Sequence, residues 1–137
     1  MDLTAHSDLL SAIVTILAIL LYFYMGMRVG AARTKYNVPA PAMTGNPVVE
    51  RTIRVHYNTL EAMPIFLPLL WLATIYFTKW GWLPAAVGVV WIIGRYIYME
   101  GYIADAAKRS NGFLIQMLAQ LVLLILAGAG IAMTWMG

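Results

Sequence analysis

The residues best suited to chemistry are concentrated in two short stretches. In "ERTIRVHYNTLE", residues 50–61, arginines, carboxylates, a histidine and an asparagine crowd the approach to an apolar run. In "GRYIYMEGYIADAAKR", residues 94–109, Arg95, Tyr98, Tyr102, Asp105 and Arg109 follow one another at intervals of three and four. A helix turns about 100° per residue. Glu50, Arg51, Arg54, Asn58 and Glu61 therefore fall on one face, and His56 points the opposite way. The second set shares one face if its helix runs on past Tyr102. Such stripes could serve as interhelical ion pairs that specify packing. They could also form a site, because an arginine excess in a partly dry place calls for an anion, and the guanidinium fork suits carboxylates. Two stripes in register with surplus arginine favour a site for a small polyanionic ligand.

The rest of the sequence limits what surrounds that site. Hydrophobic residues make up 62% of the 137 positions and charged residues 11%, against roughly 25% charged in ordinary globular chains. Too few polar groups remain to cover a water-facing surface, so the chain reads as an integral membrane protein. A net charge of +3 is too small and scattered for a nucleic-acid surface. With no cysteine there is no disulfide, thiolate metal site or cysteine nucleophile, and the distant pair His6 and His56 argues against zinc.

A bilayer core of about 30 Å takes ~20 apolar residues per helix. Spans are predicted at residues 9–28, 50–77, 82–107 and 112–136, giving an all-α, four-helix membrane bundle in a single domain, 1–137. The N-terminus "MDLTAHSDLL" lacks a basic leader, so the first span is expected to be retained. Arg28, Arg33, Lys35, Arg51 and Arg54 lie between the apolar segments of spans one and two, 9–27 and 62–77, and Lys108 and Arg109 between three and four. The positive-inside rule then puts both of these loops in the cytoplasm and both termini outside it, which in a bacterium means the inner membrane. Outside the stripes' common residues, Arg51 is expected to act as an anchor or to pair with Glu50. Asp105 is expected to orient Arg109 or Arg95, and Glu100 to serve packing between subunits.

"ERTIRVHYNTLEAMPIFLPLLW" resembles the second-helix signature of the MAPEG family, membrane-associated proteins of eicosanoid and glutathione metabolism. "ARTKYNVPAPAMTGNP" is similar to the loop before it, and "GRYIYMEGYIADAAKR" to the third-helix segment. The likeness spans residues 28–113 and is nearest to the microsomal glutathione transferase and leukotriene synthase branch. It implies a homotrimer binding glutathione between subunits. Arg54, Asn58 and Glu61 would hold the carboxylates and amino group of glutathione, with Tyr98 and Tyr102 lining the pocket. Arg95 would touch or support the ligand, and Arg109 would stabilise the thiolate. Arg33 and His56 would reach glutathione from the neighbouring subunit. The partners implied are glutathione as co-substrate, membrane lipid, and a lipophilic electrophile or lipid hydroperoxide, with no metal. The sequence departs from the family at Ala62, where relatives often carry an aromatic residue, at His56, where glutamine is common, and at Thr34, where an arginine can follow the first.

Three functions compete. A glutathione transferase, with glutathione-dependent peroxidase activity open to the same thiolate, leads. A non-catalytic lipid- or ligand-binding protein of the same fold is the alternative. A four-span drug transporter ranks third, because residues 9–27 lack the intramembrane carboxylate such proteins use.

Overall fold

A computed structural model describes residues 2–137. It contains four long helices: α1 (Ser7–Tyr36), α2 (Pro47–Tyr76), α3 (Leu83–Ala104) and α4 (Ser110–Met136), with a short 3-10 turn at Ala106–Arg109. By length and composition three stretches can cross a membrane: Ser7–Tyr36, Pro47–Tyr76 and Ala106–Met136. The fourth helix, α3, carries Arg95 and Glu100 within its 22 residues. Succeeding helices run antiparallel. One end of the bundle therefore bears the chain termini and the α2–α3 turn; the other bears the loop after α1 and the α3–α4 turn.

Local sequence sets the helix ends. The helix α1 continues past residue 28 to Tyr36 and stops where Asn37 takes the left-handed conformation (φ 54°), its N–H bonded to the Arg33 carbonyl. Asn46 caps α2, its side chain accepting from the N–H groups of Val48 and Val49 at 2.8 and 3.3 Å, with Pro47 in the first turn. The second helix thus starts three residues before the predicted boundary. Pro64 and Pro68 lie inside α2 without ending it, as membrane helices allow when neighbours satisfy the freed carbonyls.

The core lies between all four helices. Phe66 of α2 stacks flat on Trp91 of α3, ring centroids 3.9 Å apart, among Val14, Leu70 and Leu123. The indole N–H of Trp91 donates to Gln120 Oε1 at 2.9 Å, so its polar edge is satisfied in the interior. Helices α3 and α4 meet closely because glycines face each other's backbone. A Cβ at Gly112 would overlap the backbone of Tyr98, and one at Gly94 would come within 2.8 Å of the Gln116 nitrogen.

Candidate functional site

At the loop end, α2, α3 and the start of α4 enclose a cavity of about 900 Å³. The helix α2 contributes Arg54, Tyr57, Asn58 and Glu61, one side of a helix at intervals of three, one and three. From α3 come Tyr98 and Tyr102, one turn apart, with ring centroids 5.5 Å from each other. Arg109 closes the polar wall, its guanidinium 5.5 Å from the Tyr102 ring centre. Opposite stand Ser110, Phe113, Leu114 and Met117 of α4, a mostly apolar wall. A smaller space of about 360 Å³ adjoins it across Arg54, Tyr57 and Glu61, reaching Met43 and Thr44 of the loop and Glu50.

Arg109 reaches this place by a route that helical spacing did not foresee. The face shared by Arg95, Tyr98 and Tyr102 was expected to continue through Asp105, but α3 ends at Ala104. Asp105 is extended (φ −162°, ψ 127°), and its carboxylate accepts from the Ala107 N–H at 3.0 Å to cap the 3-10 turn. Asp105 therefore orients backbone, where Arg109 or Arg95 was expected. The chain then folds back, with the absent side chains of Gly101 and Gly112 letting the turn press on α3. Arg109 comes to lie over Tyr102 through that reversal.

The charge pattern is asymmetric. Among the described residues, Arg54, Glu61 and Arg109 make no ion pair and no side-chain hydrogen bond, and the one salt bridge is Arg28 Nη1–Glu100 Oε1 at 2.6 Å. Glu100 thus ties α3 to α1 within the chain, where packing between subunits was expected. Arg51 was expected to anchor the helix or pair with Glu50; its Nε donates to the Ile103 carbonyl at 3.0 Å and holds the end of α3. The α2 stripe is therefore divided: Arg54, Asn58 and Glu61 face the large cavity, Glu50 the small one, and Arg51 turns to α3.

Three residues predicted for the site lie outside the large cavity. Arg95 is fully buried behind its wall. Its Nη1 donates to Asn58 Oδ1 at 2.9 Å and its Nη2 to Thr59 Oγ1 at 2.6 Å, with the guanidinium 4.4 Å from the Tyr98 ring centre. His56 stacks on Tyr22 of α1, centroids 4.6 Å apart. Arg33 donates to the carbonyls of Val38 and Ala42 and clamps the loop after α1. Ala62 packs against the core, away from the cavity. Sequence reasoning missed Tyr57, although it lies three residues from Arg54 and four from Glu61. It also missed Ser110, Phe113, Leu114 and Met117, whose apolar members read like any lipid-facing stripe. Among the described residues no cluster of three or more His, Cys, Asp or Glu could hold a metal ion.

Comparison with known proteins adds an independent line. The family model of the MAPEG family matches residues 11–129. An uncharacterized protein of Synechocystis sp. is 44% identical over 124 residues, covering 90% of this chain and 88% of that protein. Microsomal glutathione S-transferase 2 of Homo sapiens is 39% identical over 128 residues, 93% of this chain and 86% of the relative. Leukotriene C4 synthase of Bos taurus is 35% identical over 122 residues, 89% of this chain and 80% of the relative.

Proposed function

The chain belongs to the MAPEG family, and on that premise we propose that it is a membrane-bound glutathione transferase that activates the thiol of glutathione against lipophilic electrophiles. One observation carries this reading: Arg54, Arg109 and Glu61 converge, without ion-pair partners among the described residues, on a cavity whose opposite wall is Phe113, Leu114 and Met117. Glutathione has two carboxylates, an ammonium and a thiol. Two guanidiniums and the Asn58 amide match the carboxylates and the sulfur, Glu61 matches the ammonium, and the apolar wall suits an electrophile arriving from lipid.

The chemistry follows from the charges. A free thiol of pKa ~8.5 is mostly protonated at neutral pH. A guanidinium nearby favours the thiolate, and each pKa unit is worth about 1.4 kcal/mol. We assign that role to Arg109, at the junction between the polar and apolar walls. The thiolate attacks the electrophilic carbon, an S–C bond forms, and the electron pair leaves with the departing group or stays on an opened epoxide oxygen, which takes up a proton. With a lipid hydroperoxide the same thiolate attacks the terminal peroxide oxygen. An S–O bond forms as the O–O bond breaks, and the alkoxide leaves and takes up a proton. A second glutathione then reduces the sulfenic acid, giving the disulfide and water. Tyr57, Tyr98 and Tyr102 supply hydroxyls to the ligand's polar end.

All four helices span the bilayer in this reading, with the loop end in the cytoplasm, since every Lys and Arg except Lys79 and Arg95 lies at or near that end. The subunits form a homotrimer. His56 and Arg33, outside their own cavity, are the residues that would reach glutathione bound to the adjacent subunit, so one α2 serves two sites.

Ultraviolet difference absorbance of the purified protein with glutathione tests the assignment. A thiolate band is expected for the wild type and is lost in Arg109→Ala. Binding without the band would point to a ligand-binding protein, and absence of binding would remove the glutathione reading. Crosslinking that stops at a dimer would remove the shared-site arrangement.

A further inference from the structure

Arg95 is a fully buried cation that pairs with no carboxylate among the described residues. Leaving a charge in such a place is costly unless hydrogen bonds and π faces replace its water. Here they do for both terminal nitrogens, while the buried Nε–H has no partner among the described residues, and the donor sense of each bond is fixed. A guanidinium only donates. The Thr59 hydroxyl gives its proton to the Val55 carbonyl at 2.9 Å, so its lone pair accepts from Arg95 Nη2. Asn58 must likewise present Oδ1 to Arg95 Nη1. The Asn58 amide nitrogen therefore points away from Arg95, and Asn58 lines the cavity. Tyr98, one turn beyond Arg95 on α3, covers the same guanidinium and also lines the cavity.

We infer that Arg95 is a positioning residue: from behind the wall it locks Asn58 with its NH₂ turned into the cavity as a donor, and it holds Tyr98 beside it. A neutral amide flips at little cost when both ends find water; the buried cation removes that freedom. The site then presents a donor where a ligand carboxylate would bind. The part of this inference that concerns ligand affinity rests on the glutathione reading above, but the orientation of the amide does not.

The test has two readouts. Protein labelled with ¹⁵N-asparagine in detergent micelles has four side-chain amides, from Asn37, Asn46, Asn58 and Asn111, and the Asn58 pair is the one lost in Asn58→Ala. Arg95→Lys is expected to shift and broaden that pair and leave the other three in place; an unmoved Asn58 pair would overturn the inference. The second readout is glutathione affinity by calorimetry. Arg95→Lys is expected to weaken it about tenfold, as befits one hydrogen bond to a charged group. In an Asn58→Ala background the same substitution should cost less than about twofold, because residues acting through one another are not additive. Full additivity would mean that Arg95 does not act through Asn58.

Asn58→Asp supplies a variant in which the buried cation keeps an oxygen partner and the fold is not at risk. It should bind glutathione more weakly than Asn58→Ala, since an oxygen replaces the cavity-facing donor. Binding as tight as wild type would mean the amide oxygen faces the cavity, and the inference would fall. An Arg95-dependent amide shift in a wild type that binds no glutathione would support the positioning role and remove only the glutathione reading.

Discussion

Two polar clusters near opposite ends of the bundle are built on opposite plans. Toward the terminal end, Thr74 Oγ1 lies 2.6 Å from Ser11 Oγ and donates to the Leu70 carbonyl at 2.7 Å. That bond takes its only proton, so Ser11 is the donor between them. Thr15 donates to the Ser11 carbonyl at 2.8 Å and accepts from the Trp71 indole at 3.1 Å. Every one of these neutral side chains has a partner, and the set fastens α1 to α2 as hydrogen bonds do between helices in lipid. At the loop end, Arg54, Glu61 and Arg109 have no ion-pair or hydrogen-bond partner among the described residues and face open space. Here these exposed charges without such partners line the cavity and the partnered groups fasten helices, a distinction that composition does not make.

The sharpest way to break that division is to remove one unpartnered charge. Arg109→Ala should lower the rate of glutathione conjugation to a lipophilic electrophile by about 10²–10³-fold, the usual loss when one group that stabilises a reacting anion is deleted. Because Arg109 is exposed and its one contact of note is the Tyr102 face, with no hydrogen bond or ion pair to a described side chain, the thermal unfolding midpoint in detergent should change little. A variant that loses activity and stability together would show Arg109 fastening the turn.

A smaller effect belongs to the negative charge. Glu61→Gln keeps size and hydrogen bonding but no longer attracts an ammonium. It should raise KM for glutathione about tenfold, near 1.4 kcal/mol, with kcat changed less than twofold. Loss of kcat at constant KM would place Glu61 in the chemical step and blur its separation from Arg109.

Much of this end was legible before any coordinates. The three- and four-residue spacing of Arg54, Asn58 and Glu61 put them on one face because α2 is an unbroken helix through that region. The same rule put Tyr98 and Tyr102 on one face, and both line the cavity. It failed at Asp105, where side-chain capping of the next turn competes with helix continuation, so Arg109 arrives by chain reversal. The "NP" at residues 46 and 47 could have given the start of α2, since asparagine followed by proline is a cap followed by a first-turn residue. Arg95 was visible as a charge, but its place behind the wall was not, because periodicity assigns a face without saying how deep a neighbouring helix buries it. The apolar wall of α4 could not have been told from lipid contact. That difference depends on what packs opposite, here Tyr98 against Phe113 with centroids 6.3 Å apart.

At the terminal end the expected change is in stability alone. Thr74→Val keeps the shape and removes the hydroxyl, leaving the buried Ser11 without its acceptor. That should cost about 1–2 kcal/mol, read as a lower unfolding midpoint. Turnover and glutathione affinity at the other end should be unchanged once the protein is folded. A fall in turnover with a normal midpoint would couple the two ends and sink the separation.

The smallest effect tests whether position or partner decides the class. Arg28 and Glu100 lie toward the same end as the cavity, yet they pair with each other, and Arg28 also donates to the Tyr24 hydroxyl at 3.1 Å. By partner accounting they are fastening. Both side chains are substantially exposed, at 28% and 45%, so the pair is worth no more than about 1 kcal/mol. Glu100→Gln should lower the unfolding midpoint slightly in low salt, with the difference shrinking as ionic strength screens the pair. Glutathione affinity should not move. If it does, charge at the loop end acts as one field whatever its pairing, and unpartnered groups no longer mark the site by themselves.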